Sequence, residues 1–356
     1  MVSEEKLLSV AGAFGLSSFP KSVSPLGNGH INLTFLLTDS AGKKYVLQRI
    51  NDAIFTDIDA LMKNILHVTE YLNALKPLSS LRFIRTLDGA SYLKDESGCY
   101  RLYEYVEGVS LEKANSPKEL SICGRAFGEF QMSLSGFDAS RLSETIPRFH
   151  DTVNRLEKLE AAARADVCGR LKSVKTEYDF YISRRREARH LIEMQKADAL
   201  PLRVTHNDTK LNNVILDSAT LEPKCVIDLD TVMPGLSAND FGDCVRSGAS
   251  TGAEDERDLS KVSLDLELYK AFASGFIASC SGALTDNEIS ALPWGAYLMT
   301  LECGARFLTD YLSGDTYFHI SYPEHNLVRS RTQMKLVSDS EKHAGDISRL
   351  IEEARN

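Results

Sequence analysis

Val204-Thr205-His206-Asn207-Asp208-Thr209-Lys210-Leu211-Asn212-Asn213-Val214-Ile215-Leu216 is followed, after a short polar connector, by Cys225-Val226-Ile227-Asp228-Leu229-Asp230-Thr231. Apolar strands flank polar loops in both stretches, and polar groups at the ends of rigid strands are well placed for chemistry. Phosphoryl transfer from a nucleotide needs a carboxylate to orient the attacking hydroxyl, oxygen ligands for magnesium and positive charge near the phosphates. Asp208 suits the first role. Asn213, five residues on, offers an amide oxygen, and Asp228, fifteen residues further, a carboxylate; Mg2+ prefers such hard ligands. Lys210 is placed to reach a γ-phosphate. His206 reads as a buried imidazole that braces the loop.

Outward from this island the chain changes character. Toward the N-terminus, residues 3–15 have the spacing of a short helix, and residues 19–29 form a Pro/Ser/Gly-rich connector. Residues 31–38 and 44–50 read as a hairpin, residues 56–75 as a helix, and 81–86, 91–93 and 100–106 as strands. Beyond Glu107 helical patterns dominate, at 117–135, 151–164, 170–196, 256–281 and 286–312, with a surface loop at 247–252 and a charged, solvated helix at 337–356. The expectation is an α+β chain of two lobes sharing a cleft: a small β-rich nucleotide-binding lobe at 1–106 and a larger, mainly helical catalytic lobe at 107–356.

The nucleotide side is read from three places. Gly27-Asn28-Gly29-His30-Ile31-Asn32 allows backbone amides to approach phosphates closely, although Asn32 replaces the third glycine of a Gly-x-Gly-x-x-Gly loop. In Tyr45-Val46-Leu47-Gln48, alternation puts Val46 and Gln48 on one face; Val46 suits adenine packing, and Gln48 stands where a phosphate-pairing lysine is expected. Glu104 and Tyr105 would form the hinge whose backbone reads adenine. No Walker-type Gly-x-x-x-x-Gly-Lys-[Ser/Thr] occurs.

Bulk properties narrow the classes. Against 50 Asp and Glu stand 41 Lys and Arg, a net charge of −9 that argues against nucleic-acid binding. Seven scattered cysteines without a Cys-x-x-Cys point to reduced thiols rather than a disulfide framework or zinc site. Glu4 and Glu5 precede the first apolar stretch where a secretory signal would be basic, and no run is long enough to span a membrane. A cytoplasmic enzyme of small molecules is expected, with no protein partner implied.

The Asp…Asn…Asp spacing resembles the catalytic loop and metal-binding segment of protein kinases. Asn207 in place of the arginine, and Asp228-Leu229-Asp230 in place of Asp-Phe-Gly, turn the resemblance toward the aminoglycoside phosphotransferase and choline kinase branch of the protein-kinase-like fold. Residues 206–213, 227–235 and 322–333, with 137–150 and 301–311, are similar to the N-acetylhexosamine 1-kinase family, which also carries a glutamine in the lysine strand. That resemblance implies ATP and Mg2+ as cofactors, and phosphorylation of the anomeric hydroxyl of N-acetylglucosamine or N-acetylgalactosamine beside Asp208. It also implies sugar contacts at His30, Thr231, Arg306 and Tyr317. From the residues alone, Arg306 reads equally as a rim arginine paired with Asp310, and Tyr317 as core packing beside Phe318. Arg329 and Arg331 read as structural or solvent-facing. Rival readings are an aminoglycoside kinase, which the Arg-bearing C-terminal segments oppose, and a silent nucleotide-binding regulator, which Gln48 favours.

Overall fold

Tyr45-Val46-Leu47 alternates between two apolar faces, and the N-terminal sheet is built around it. The structure, a computed structural model, describes residues 2–27, 31–280 and 282–355. In chain order the first elements are α1 (Glu4–Gly12), β1 (Pro20–Pro25), β2 (Leu33–Asp39), β3 (Lys44–Ile50), α2 (Ile58–Leu75), β4 (Phe83–Ile84), β5 (Leu93–Asp95) and β6 (Gly98–Glu104). There follow α3 (Pro117–Ser133), α4 (Thr152–Ala165), α5 (Lys175–Ile182), α6 (His190–Lys196), β7 (Arg203–Thr205), β8 (Val214–Leu216), β9 (Pro223–Val226) and β10 (Met233–Gly235). The chain closes with α7 (Ser237–Gly248), α8 (Leu266–Cys280), α9 (Asp286–Leu312), α10 (His325–Lys342) and α11 (Ala344–Arg355).

This is the expected α+β class, a small antiparallel-sheet unit and a larger helical one. The first unit gathers Met1–Val109 with two later segments, Ser140–Ile146 and Ile215–Met233. Its sheet runs β1-β2-β3-β6-β4, with β5 also on β6. Tyr45 and Leu47 of β3 and Tyr100 and Leu102 of β6 pack with Leu7, Val10 and Phe14 around α1. The pleat therefore turns Val46, Gln48, Arg101 and Tyr103 to the opposite face. Asp57 caps α2, its side chain accepting the Ala60 amide. Asn64 on α2 donates to the carbonyls of Ser143 and Val232 at 2.7 and 3.0 Å, tying both later segments to this unit.

The second unit comprises Ser110–Ala139, Pro147–Val214 and Pro234–Asn356. Glycines permit its closest helix crossings. A Cβ at Gly124 or Gly128 of α3 would lie 2.4 Å from the Phe272 or Phe276 carbonyl of α8, and one at Gly295 of α9 would lie 1.8 Å from the Ala238 carbonyl of α7. Capping sets the helix starts: Ser116 and Pro117 begin α3, and a Thr285–Glu288 capping box begins α9. No helix of the described residues is long and apolar enough to cross a membrane.

Several elements differ from the sequence reading. Residues 20–25, read as connector, form an edge strand, where prolines are tolerated. The helix expected over 170–196 is broken into α5, α6 and two 3-10 turns, because the run Ser183-Arg184-Arg185-Arg186-Glu187 interrupts the apolar stripe. The helix expected from 256 starts at Leu266, where Asp265 accepts the amides of Glu267 and Leu268. Helix α7 was not read at all. The tail is not simply solvated, since Ile347 and Ile351 are buried.

Candidate active site

In the helical unit, β7 leads into the loop that carries Asp208, Lys210 and Asn213. Asn207 takes a left-handed conformation, φ 65°, which asparagine tolerates better than most residues. Asp240 of α7 holds this turn: its two oxygens accept the amides of His206 and Asn207 at 2.8 and 2.7 Å, and Gln131 of α3 donates to it at 2.8 Å. His206 is fully buried against the edges of Phe127 and Phe130, and its Nδ1 accepts the Asp208 amide at 3.3 Å.

So held, Asp208 lies 2.8 Å from the Lys210 ammonium. Asn213 donates its Nδ2 to the Asp208 carbonyl at 2.8 Å and to its carboxylate at 3.3 Å. Burial alone would raise the Asp208 pKa, but Lys210, then His206 and Arg246, outweigh it and keep the carboxyl below its ordinary value. Burial likewise opposes the charge of Lys210, yet Asp208 and Asp243 raise its pKa. The loop thus presents an ionised carboxylate and an ammonium.

Behind the loop, His150 Nε2 lies 3.1 Å from the Asn207 carbonyl and Nδ1 lies 3.3 Å from the buried Glu302 carboxylate of α9. Desolvation would lower the His150 pKa, but Glu302 raises it overall; desolvation would raise that of Glu302, but His150, Arg155 and Arg306 bring it down. Arg306 does not pair with Asp310, whose oxygens are taken by the amides of Thr316, Tyr317 and Phe318 and by Asn326. Its guanidinium lies over the Phe318 ring, 5.4 Å from the centroid. Tyr317 packs edge-on against the same ring but is 66% exposed, so it is not a core residue.

In the sheet unit, Asp228 follows β9 in a left-handed conformation, φ 58°, with its side chain exposed. Thr231 is buried in the 3-10 turn that follows. Val46 is buried; Gln48 donates to Thr34 Oγ1 at 3.0 Å and accepts from Arg101. The Glu104 and Tyr105 amides donate to the Arg82 and Lys44 carbonyls at 2.9 and 3.2 Å. Gly27 has φ 67° and Asn32 is buried; Asn28, Gly29 and His30 lie outside the described residues.

Taken singly, two donors have the chemistry a hard divalent cation prefers: in the helical unit Asn213 commits its Nδ2 to Asp208, which leaves its amide oxygen as the donor end, and in the sheet unit Asp228 is an exposed carboxylate. Among the described residues no group of three or more His, Cys, Asp or Glu could hold a metal alone. Mg2+ is commonly held by one or two carboxylates together with substrate phosphates.

Sequence reasoning missed Asp240, Gln131, His150, Glu302, Arg101 and the Asp243–Arg246 pair beside Asp208. Asp230 had a signal in its place in Asp-Leu-Asp, and His150 and Glu302 in the stretches 137–150 and 301–311 that carry the resemblance.

The model of the phosphotransferase enzyme family matches residues 22–269, more than half of the chain. Solved structures similar to it include an aminoglycoside phosphotransferase from Alicyclobacillus acidocaldarius, with TM-score 0.64 and 14% identity over 97% of this chain and 96% of that one. An amicoumacin kinase solved with AMP-PNP and Ca2+ matches with TM-score 0.62 and 16% identity over 96% and 94%. A choline kinase from Cryptosporidium parvum matches with TM-score 0.58 and 15% identity over 94% and 93%. At such identities the likeness is one of fold.

Proposed function

The chain belongs to the phosphotransferase enzyme family, and from that premise we propose that it transfers the γ-phosphoryl group of ATP to the anomeric hydroxyl of an N-acetylhexosamine. The observation that carries the phosphotransferase chemistry is the Asp208–Lys210–Asn213 arrangement, an ionised carboxylate held by a cation and an amide. Asp208 orients the sugar O1–H and takes its proton as the new O–P bond forms. Lys210 keeps that carboxylate ionised and offsets charge on the transferred group. Asn213 and Asp228 would hold Mg2+ on the nucleotide; when bound, the ion neutralises phosphate charge. Gln131 and Asp240 do no chemistry but fix the loop, and fixed geometry is the larger part of catalysis for a reaction of this kind.

The acceptor rests on the resemblance; the arginines near Glu302 add no charge argument, because Arg155 pairs with Glu302 and Arg148 with Asp151 and Glu157. The test is a panel of N-acetylhexosamines, hexoses, choline and aminoglycosides, scored by coupled ADP release, with phosphorus NMR of the product. Phosphate on O1 of N-acetylglucosamine or N-acetylgalactosamine supports the proposal. Phosphate on O6, or preference for an aminoglycoside or choline, refutes it, and nucleotide binding without turnover on any acceptor would favour the silent regulator.

A further inference from the structure

In protein kinases a lysine on the strand equivalent to β3 pairs with a glutamate on the helix that follows. Here Gln48 occupies the strand position, and α2 supplies no acid to it: its two acids, Asp59 and Glu70, are both exposed, and its buried amide, Asn64, serves Ser143 and Val232.

An ion pair does exist on that face of the sheet. Arg101, cross-strand neighbour of Gln48 on β6, is only 2% exposed. Its Nε and Nη2 donate to Gln48 Oε1 at 2.9 and 2.7 Å, and its Nη1 pairs with Asp230. The other Asp230 oxygen receives Asn32 Nδ2, while Asn32 Oδ1 accepts the Asn51 amide at 2.9 Å. Asp230 is thereby clamped from β6 and from the residue that ends the glycine loop. Asp228 is two residues away, and it lines a small cavity together with Gln48, Arg101 and Tyr103.

We propose that Arg101 is a positioning residue for the nucleotide-bound metal: through Asp230 it fixes the backbone that carries Asp228. The arrangement joins the sheet directly to the metal-binding segment. Its charge pair runs across the sheet to Asp230 rather than through an acid on α2. Gln48 is then the acceptor that orients the arginine, not a failed lysine. The inference rests on Asp228 being the metal-binding carboxylate.

The test is calorimetric binding of ADP with Mg2+ and with EDTA to Arg101→Lys and Arg101→Met. Loss of an outer partner of a metal ligand typically weakens the metal complex about tenfold or more. Arg101→Met is expected to bind Mg·ADP weaker by about that factor, with Arg101→Lys intermediate and metal-free ADP binding little changed. Wild-type Mg·ADP affinity in both variants, whatever their melting temperatures, would reduce Arg101 to a packing residue and overturn the proposal. If Arg101→Met does not fold, Arg101→Lys decides by the same criterion, since it keeps the charge but loses the forked grip on Gln48. Asp228→Asn separates the two ideas: undiminished Mg·ADP binding by that variant would mean the metal assignment, not the coupling, has failed.

Discussion

Asp240 offers the sharpest test of how the Asp208 loop is held. It is buried, and its two oxygens satisfy the amides of His206 and Asn207 and the side chain of Gln131. Asp240→Ala leaves both amides without that acceptor; Gln131 keeps a second bond, to the Val204 carbonyl at 3.3 Å. Each unsatisfied buried donor costs about 1–3 kcal/mol, so the two amides together cost about 2–6 kcal/mol. Part is returned, because burial raises the Asp240 pKa and its charge is held against a desolvation penalty. The expected net loss is about 2–4 kcal/mol, within a total stability of about 5–15 kcal/mol. Asp240→Asn keeps one acceptor and should lose about 1–3 kcal/mol. The loss should also reach catalysis: Asn207 sits at positive φ directly before Asp208, and a misplaced base can cost about 100-fold in rate. Urea unfolding and kcat on the folded variants measure both effects. If Asp240→Asn unfolds like wild type and turns over at the wild-type rate, the loop is held by something else and the reasoning fails.

Asp208→Asn should lower kcat by about two orders of magnitude or more without unfolding, the scale of a lost general base, read by coupled ADP release and circular dichroism. Lys210→Met should move the acid limb of the kcat/KM profile to higher pH, because Lys210 is the main charge keeping the Asp208 pKa below its ordinary value. The His150–Glu302 pair has a defined pH window. His150 has a folded pKa above 6.5, so its contribution is full below 6.5 and is lost as pH rises through the folded value; Glu302, with a folded pKa below 4.5, contributes above 4.5 and loses it as pH falls. The unfolding free-energy gap between wild type and His150→Gln should therefore be larger at acid pH, between those values, than in alkali, and an equal gap at both would contradict the assignment. Gly295→Ala should lower the melting temperature, since its Cβ would meet the Ala238 carbonyl of α7 and over-packing costs about 1–3 kcal/mol.

What the sequence shows and hides follows from the kind of interaction. Asp208, Lys210 and Asn213 are legible because their contacts are local: the loop that carries them also brings them together, so spacing and residue type suffice. Val46 and Gln48 share a face because strand alternation requires it. Helix α7 escapes because it is short and its apolar positions, Ala238, Phe241, Cys244 and Val245, are interleaved with Gly242 and with Asn, Asp and Arg residues that read as loop. β1 escapes because its prolines and serines carry turn chemistry, which an edge strand tolerates.

Arg101 and Asp240 escape for a deeper reason. Each holds a chemically loaded segment through partners distant in sequence: Asp230 stands well over a hundred residues after Arg101, and Asp240 thirty-four after His206. Neither residue lies in a motif, and neither pairing exists until strand register and helix packing are fixed. Gln48 shows the consequence. Judged along its own strand it is a lysine that has been lost, and it weighs toward a silent protein. Judged across the β3–β6 ladder it is the acceptor that seats Arg101, whose own charge is paired with the buried Asp230. Linear reading counts charges along the chain; the sheet counts them by face, and on this face the missing lysine gives no ground for inferring missing activity.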